Sequence, residues 1–278
     1  MRFGINTLLW TAAFDLPHLD LLPKIKEAGF DGVEISRFDF KDFPSAKIRR
    51  AIEANDLGCT FCSALTGGLT LASANNNDAV AFLEDGIRTA ADLGASVFVG
   101  PFCSPVGYLP GRRRTNDEWQ YAIDGLRSLI PTLERNGVTL AIEPLNRFET
   151  FFLNTSFDAK ALCEAVGHPA AGVLFDTFHA NIEEKSIAEG LRTIGSRLKH
   201  VHACENDRGI PGSGHVAWQE LRDGLRDLDY DGWIVIESFG FAIKEIAAAA
   251  CIWRDLARTP DDIAFEGLKF LKDLVRSH

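Results

Sequence analysis

VTLAIEP, residues 138–144, is the stretch from which the rest of the chain is read. It is a short apolar run with the composition of a buried strand, closed by Glu143 and broken by Pro144. Just before it lies NDEWQYAIDGLRSLIPTLERNG (116–137), whose apolar residues recur at helical spacing. That stretch ends in Asn-Gly, as helix C-termini do. One helix followed by one buried strand that stops on a carboxylate is the unit to look for elsewhere.

The unit repeats in both directions. Strands are expected in FGINTLL (3–9), GVEIS (32–36), CTFCSAL (59–65), SVFVGPF (96–102), VTLAIEP, GVLFDTF (172–178), KHVHACE (199–205) and WIVIES (233–238). Helical patterns separate them, including SAKIRRAIEAND (45–56), DAVAFLEDGIRTAADLG (78–94) and SIAEGLRTIGSRL (186–198). KEIAAAACIWRDLA (244–257) and a terminal helix in DIAFEGLKFLKDLVRS (262–277) follow the eighth strand. Eight such units predict an α/β fold, a closed parallel (β/α)8 TIM barrel with an extra C-terminal helix. A doubly wound open sheet is the alternative. No G-x-G-x-x-G or G-x-x-x-x-G-K-[ST] follows any strand, which counts against a nucleotide-binding version of it. With no low-complexity linker or charge block, the 278 residues are expected to form one barrel domain, 1–278.

The bulk chemistry narrows the partners. A formal net charge of -10 repels a phosphate backbone, so nucleic acid is not expected. No apolar run reaches the roughly 18–20 residues of a membrane span, and MRFGINTLLW has no signal-peptide pattern, so a cytoplasmic protein is expected. Six cysteines include one C-x-x-C, Cys59 and Cys62. On a strand those two point to opposite faces, so all six are expected as reduced, mostly buried thiols.

In a barrel of this kind the active site lies at the C-terminal ends of the strands. Strands five to eight end on or carry Glu143, Asp176, His202 and Glu237. If these point inward, so do Ala141, Leu174, His200 and Val235, and bulky Ile142, Phe175, Val201 and Ile236 face the helices. The alternation is coherent on all four strands. Three carboxylates and an imidazole cannot simply be packed together, because buried like charges repel. A divalent cation resolves the conflict, and a hard, mostly oxygen donor set favours Mn2+ or Mg2+ over a thiolate zinc site, with Co2+, Ni2+ or Zn2+ also able to occupy it. His200 is expected as a deeper core histidine or a partner behind the ligands. Glu149, His179 and Arg208 follow the ligands closely and are expected in loops above the ion, as holders of a small polar ligand or as plain surface charges. PFCSPVGYLPGRRR (101–114) has the length and composition of an active-site loop, or of a surface loop.

EPLNRFET (143–150), DTFHANIEE (176–184), HVHACENDRG (200–209) and IVIES (234–238) together resemble the ketose 3-epimerases, the D-tagatose and D-allulose 3-epimerase family of xylose-isomerase-like barrels. The resemblance covers nearly the whole chain, including IWRDLARTPDDIAFEGLKFLKDL (252–274). It implies that Glu143, Asp176, His202 and Glu237 are metal ligands, that Glu143 and Glu237 are also the catalytic acid/base pair, and that Glu149, His179 and Arg208 bind substrate. It further implies a free ketose as substrate, Mn2+ as the usual cofactor with Co2+ or Mg2+ possible, and a homodimer or homotetramer. Two positions depart from the family pattern: Leu109 replaces an aromatic, and Asn6 stands where some members place one. Both are expected at the distal end of the pocket, and Arg112, Arg113 and Arg114 either meet an anionic substrate group or form a solvated turn. Rival activities on the same barrel are inosose isomerase or dehydratase, hydroxypyruvate isomerase and 3-keto-glycoside processing. An endonuclease IV-like repair enzyme is a distant rival, disfavoured by the acidic charge, and a non-catalytic sugar-binding protein is another.

Overall fold

The computed structural model describes residues 1–240 and 243–277. Eight strands, β1 (Arg2–Asn6), β2 (Gly32–Ser36), β3 (Gly58–Cys62), β4 (Val97–Gly100), β5 (Thr139–Ile142), β6 (Ala171–Asp176), β7 (Leu198–Ala203) and β8 (Trp233–Ile236), close into a barrel in chain order. Each pairs in parallel with the next, and β8 returns to β1. Helices α1 (Leu21–Glu27), α2 (Ser45–Ala54), α3 (Asn77–Leu93), α4 (Asn116–Asn136), α5 (Ser156–Val166), α6 (Thr177–Glu183), α7 (Ile187–Ile194), α8 (Trp218–Asp227), α9 (Lys244–Ala249) and α10 (Pro260–Arg276) complete the TIM barrel.

The period-2 reading holds on the described strands. Ile142, Phe175, Val201 and Ile236 join the large core between sheet and helices. Ala141 and Leu174 pack with Cys62 and Val99 in a small core inside the barrel. Cys59 belongs to the outer core and Cys62 to the inner one, so the C-x-x-C pair is split between faces. All six cysteines are free thiols, and every one but Cys251 is buried.

Element ends differ from expectation where a side chain takes over the backbone. Asn6 Oδ1 accepts from the Leu8 N–H, so Thr7–Leu9 turns into a 3-10 helix instead of extending β1. Asp176 Oδ1 accepts from the N–H of Phe178 at 2.6 Å, which starts α6 straight off β6. Of 244–257, only Lys244–Ala249 is helical; Cys251 takes a left-handed backbone (φ 53°) and the chain turns away.

The floor of the barrel rests on a close approach. Gly4, Gly32 and Gly58 are register partners on β1, β2 and β3, and the Trp233 indole lies over them. A Cβ at Gly58 would stand 2.7 Å from the ring. G58A is therefore expected to lose about 1–3 kcal/mol of stability. A denaturant titration that leaves the midpoint unchanged would show that the ring can move aside.

Candidate active site

The residues predicted to meet at the barrel mouth do meet. Asp176 is the last residue of β6, His202 lies in β7, and Glu143 and Glu237 come directly after β5 and β8. One donor atom from each of the four lies within 4.8 Å of the others, and all four side chains are buried. His202 Nδ1 stands 3.9 Å from Glu143 Oε1, 3.9 Å from Asp176 Oδ2 and 3.3 Å from Glu237 Oε2. Asp176 divides its work: Oδ1 caps α6 and Oδ2 faces the cluster.

The electrostatics of the cluster are uneasy without a cation. Burial and the neighbouring Glu237 push the Glu143 carboxyl well above the usual carboxylate range. Burial pushes Glu237 up as well, but His202 and Arg208 beside it outweigh that and hold it below its ordinary value. Glu143 Oε1 and His202 Nδ1 are buried and have no hydrogen-bond partner. A buried carboxylate oxygen and a buried imidazole nitrogen left unpaired, both turned to one point, fit the donor set of a divalent cation. These four residues are the ones that could hold it.

Glu149, His179 and Arg208 all line the cavity above this cluster, which encloses about 420 Å³. That is within the usual range for a small-molecule site. Arg208 sits in a left-handed backbone turn (φ 67°), and its guanidinium lies 4.1 Å from the Phe178 ring centroid and 4.8 Å from that of Phe239. Its Nη1 donates to Asp176 Oδ2 at 3.0 Å and to Glu237 Oε2 at 3.1 Å. Burial lowers the His179 pKa to about 3, so the ring is neutral. The Asn146 backbone N–H donates to its Nδ1 at 3.1 Å, and its Nε2 lies 3.2 Å from Arg208 Nη2 and 3.6 Å from Glu143 Oε1. Glu149 is raised by burial and accepts from Asn146 Nδ2 at 2.8 Å.

Two expected pocket positions are corrected. Asn6 is fully buried and binds Glu34 and Ser36 inside the barrel; Leu8, two residues on, reaches the cavity instead. Leu109 is half exposed on the outer turn, carried there by the left-handed Gly107 and Gly111, and the loop meets the cavity through Pro101 and Val106. The three arginines do not line the cavity either. Arg112 forks onto Glu118 at 2.9 and 2.7 Å, and Arg114 binds Asp158 at 2.7 Å. Arg112 holds the Glu118 carboxyl down to about 2, against an ordinary 4.5. A folded value below the unfolded one means stability that is present above pH 4.5 and lost as the pH falls towards 2. E118Q should flatten that part of an acid-unfolding curve; an unchanged curve would show the ion pair to be inert.

Sequence reasoning missed two residues. Glu205 is fully buried and accepts from the N–H of Gly212 at 2.8 Å, the N–H of Val216 at 3.0 Å and the Trp218 indole at 3.0 Å, so it ties down the loop that carries Arg208. Glu34, in the middle of GVEIS, is fully buried and meets both His200 and His202. A carboxylate on the inward phase of a short buried strand was the available signal.

Residues 22–274 match the family model described as a xylose isomerase-like TIM barrel. A Synechocystis sp. protein named "Probable ketose 3-epimerase" is 35% identical over 284 residues, covering 100% of this chain and 98% of its own. The chain belongs to the ketose 3-epimerase family. It is thus an enzyme of the isomerase class. Among solved structures, the Methylomonas sp. D-allulose 3-epimerase in complex with D-allulose is 25% identical with a TM-score of 0.93, covering 98% of this chain and 96% of that one. An L-ribulose 3-epimerase is 28% identical, also at 0.93, covering 99% and 94%. The cavity of about 420 Å³ is lined by both Glu143 and Glu237.

Proposed function

We propose that this chain interconverts C3 epimers of free ketoses of the D-tagatose, D-fructose/D-allulose and L-ribulose type, through a planar enediolate. The observation that carries the reading is the convergence of Glu143, Asp176, His202 and Glu237, with Glu143 Oε1 and His202 Nδ1 unpaired, beside a sugar-sized cavity that Glu143 and Glu237 line. These four would hold a divalent cation, Mn2+ by the hardness of the set. Such an ion would polarise the ketose carbonyl and would stabilise the negative charge that develops as C3 loses its proton.

The side chains do the rest. One of Glu143 and Glu237 takes the C3 proton as general base, and the other delivers a proton to the opposite face as general acid. β6 and β7 lie between β5 and β8 in the barrel, which supports reading the two carboxylates on different sides of a bound sugar. Reversibility makes each serve in both roles. The imidazole of His179 and the guanidinium of Arg208 hold the oxygens at C1 and C2, and Glu149 accepts from a further hydroxyl. Phe178 and Phe239 fix the Arg208 plane, so the fork and not only the charge is used. R208K should cut kcat/KM about 10- to 100-fold, mostly through KM; steady-state kinetics in which R208K matches the parent would remove Arg208 from substrate binding.

The test is direct. The Mn2+-loaded chain is incubated with D-fructose, D-tagatose and L-ribulose, and C3 epimers are followed by NMR beside an EDTA-stripped control. Epimer formation that stripping abolishes supports the reading. No turnover of any free ketose, with metal bound, sinks it and moves the activity to inososes or keto-glycosides. The family resemblance is also the ground for proposing a homodimer or homotetramer in the cytoplasm, and sedimentation checks the first. No helix among the described residues is long and apolar enough to cross a membrane.

A further inference from the structure

Beneath the candidate metal cluster lies a second polar group that the reaction itself does not use. Asn6, Glu34 and Thr60 are register partners on β1, β2 and β3, so they form one inward row across three strands. From the opposite wall, β7 sends His200 and His202 towards the same point. Glu34 is the meeting place. Its Oε1 accepts from Asn6 Nδ2 at 2.8 Å and lies 2.8 Å from His202 Nε2. Its Oε2 accepts from Thr60 Oγ1 at 2.8 Å and lies 2.9 Å from His200 Nε2, off the line of a good hydrogen bond.

We propose that Glu34 is a positioning residue: its carboxylate takes the Nε2–H of His202, and so presents the unprotonated Nδ1 of that ring to the cation. The inference rests on reading His202 as a metal ligand. The direction of the hydrogen bond follows from the neighbours. Asn6 Oδ1 is already engaged by the Leu8 N–H and the Ser36 hydroxyl, so its amide can only point Nδ2 at Glu34. With Asn6 and Thr60 both donating, Glu34 is an acceptor throughout. A neutral imidazole that donates from Nε2 has its lone pair on Nδ1, the atom that faces Glu143, Asp176 and Glu237. The His200 ring stands nearly perpendicular to that of His202, with centroids 5.1 Å apart, and limits its rotation.

A carboxylate shut in among protein groups at 0% exposure is expensive, and an apolar side chain would stabilise the barrel at least as well. Orientation of a metal ligand is a reason to keep it, and such partners typically carry 10- to 100-fold in metal affinity. The alternative is that Glu34, His200 and His202 themselves hold an ion, since their donor atoms also lie within 4.8 Å of one another. Against it, each Glu34 oxygen already has a protein donor.

The experiment is a titration of the metal-stripped full-length chain with Mn2+, reading free Mn2+ by its room-temperature EPR signal, with no substrate present. One ion per chain is expected, bound about 10- to 100-fold more weakly by E34Q, with kcat at saturating Mn2+ recovered to within a few-fold. E34Q affinity within twofold of the parent overturns the proposal, as do two ions per chain. A parent that binds no ion fails the metal reading itself, a distinguishable result. Should E34Q not fold, histidine ring 1H–15N spectra of the Mg2+-loaded parent decide: the ring that responds to the ion must carry its proton on Nε2, and a proton on Nδ1 overturns the assignment.

Discussion

E143Q and E237Q each fold, and each loses at least about 100- to 10,000-fold in kcat, the range carried by a positioned proton-transfer group. The carboxamide keeps the volume of the carboxylate but cannot exchange a proton with carbon. The two variants fail differently. With one acid/base group left, the enzyme can still remove and return the C3 proton on one face. E143Q should therefore wash solvent deuterium into C3 of one epimer without converting it, and E237Q into the other. Metal affinity is read separately by Mn2+ titration, because both residues are also read as ligands and a loss of ion would mimic a loss of base. E143Q carries a further expectation: burial and Glu237 already disfavour a charge on Glu143. Removing that charge should leave the metal-free barrel at least as stable as the parent. If both variants retain more than a tenth of parental kcat with metal bound, proton transfer belongs to other residues.

The second large effect is removal of the ion. Stripping with EDTA should abolish epimerisation, and Mn2+ should restore it. The same ion should stabilise the fold, because the site assembles only when β5 to β8 stand in register. Mn2+ at a hundred times its Kd adds about 2.7 kcal/mol by mass action. For a chain of this size that raises Tm by several degrees. Calorimetry with and without Mn2+ reads the shift, and D176N should reduce it. Full activity in EDTA, or an unmoved Tm, would remove the cation from the account.

Much of this was legible before the structure, for a physical reason. Strand side chains alternate strictly, so Glu143, Asp176, His202 and Glu237 could be phased against Ile142, Phe175, Val201 and Ile236 from the chain alone. The structure seats the first four at one point and the second in the outer core. What stayed hidden depends on register between distant strands. Glu34 stands alone as a carboxylate in GVEIS, and its partners Asn6, Thr60, His200 and His202 come from β1, β3 and β7. Asn6 was placed near the sugar by resemblance, yet one inward position on β1 separates the pocket wall from the buried network. The strand readings 3–9 and 172–178 overrun β1 and β6 because Asn6 and Asp176 cap the backbone early, a contact that periodicity does not register.

The central claim is a proton moved between two carboxylates across C3, and isotope exchange reads it most directly. The Mn2+-loaded enzyme is run on D-fructose in D2O to a few per cent conversion, and both sugars are examined by NMR. The account predicts product with deuterium at C3 and recovered substrate still carrying protium there, because the proton leaves from one face and solvent deuterium enters from the other. Epimer formed with protium at C3, or deuterium appearing in substrate ahead of product, would contradict it.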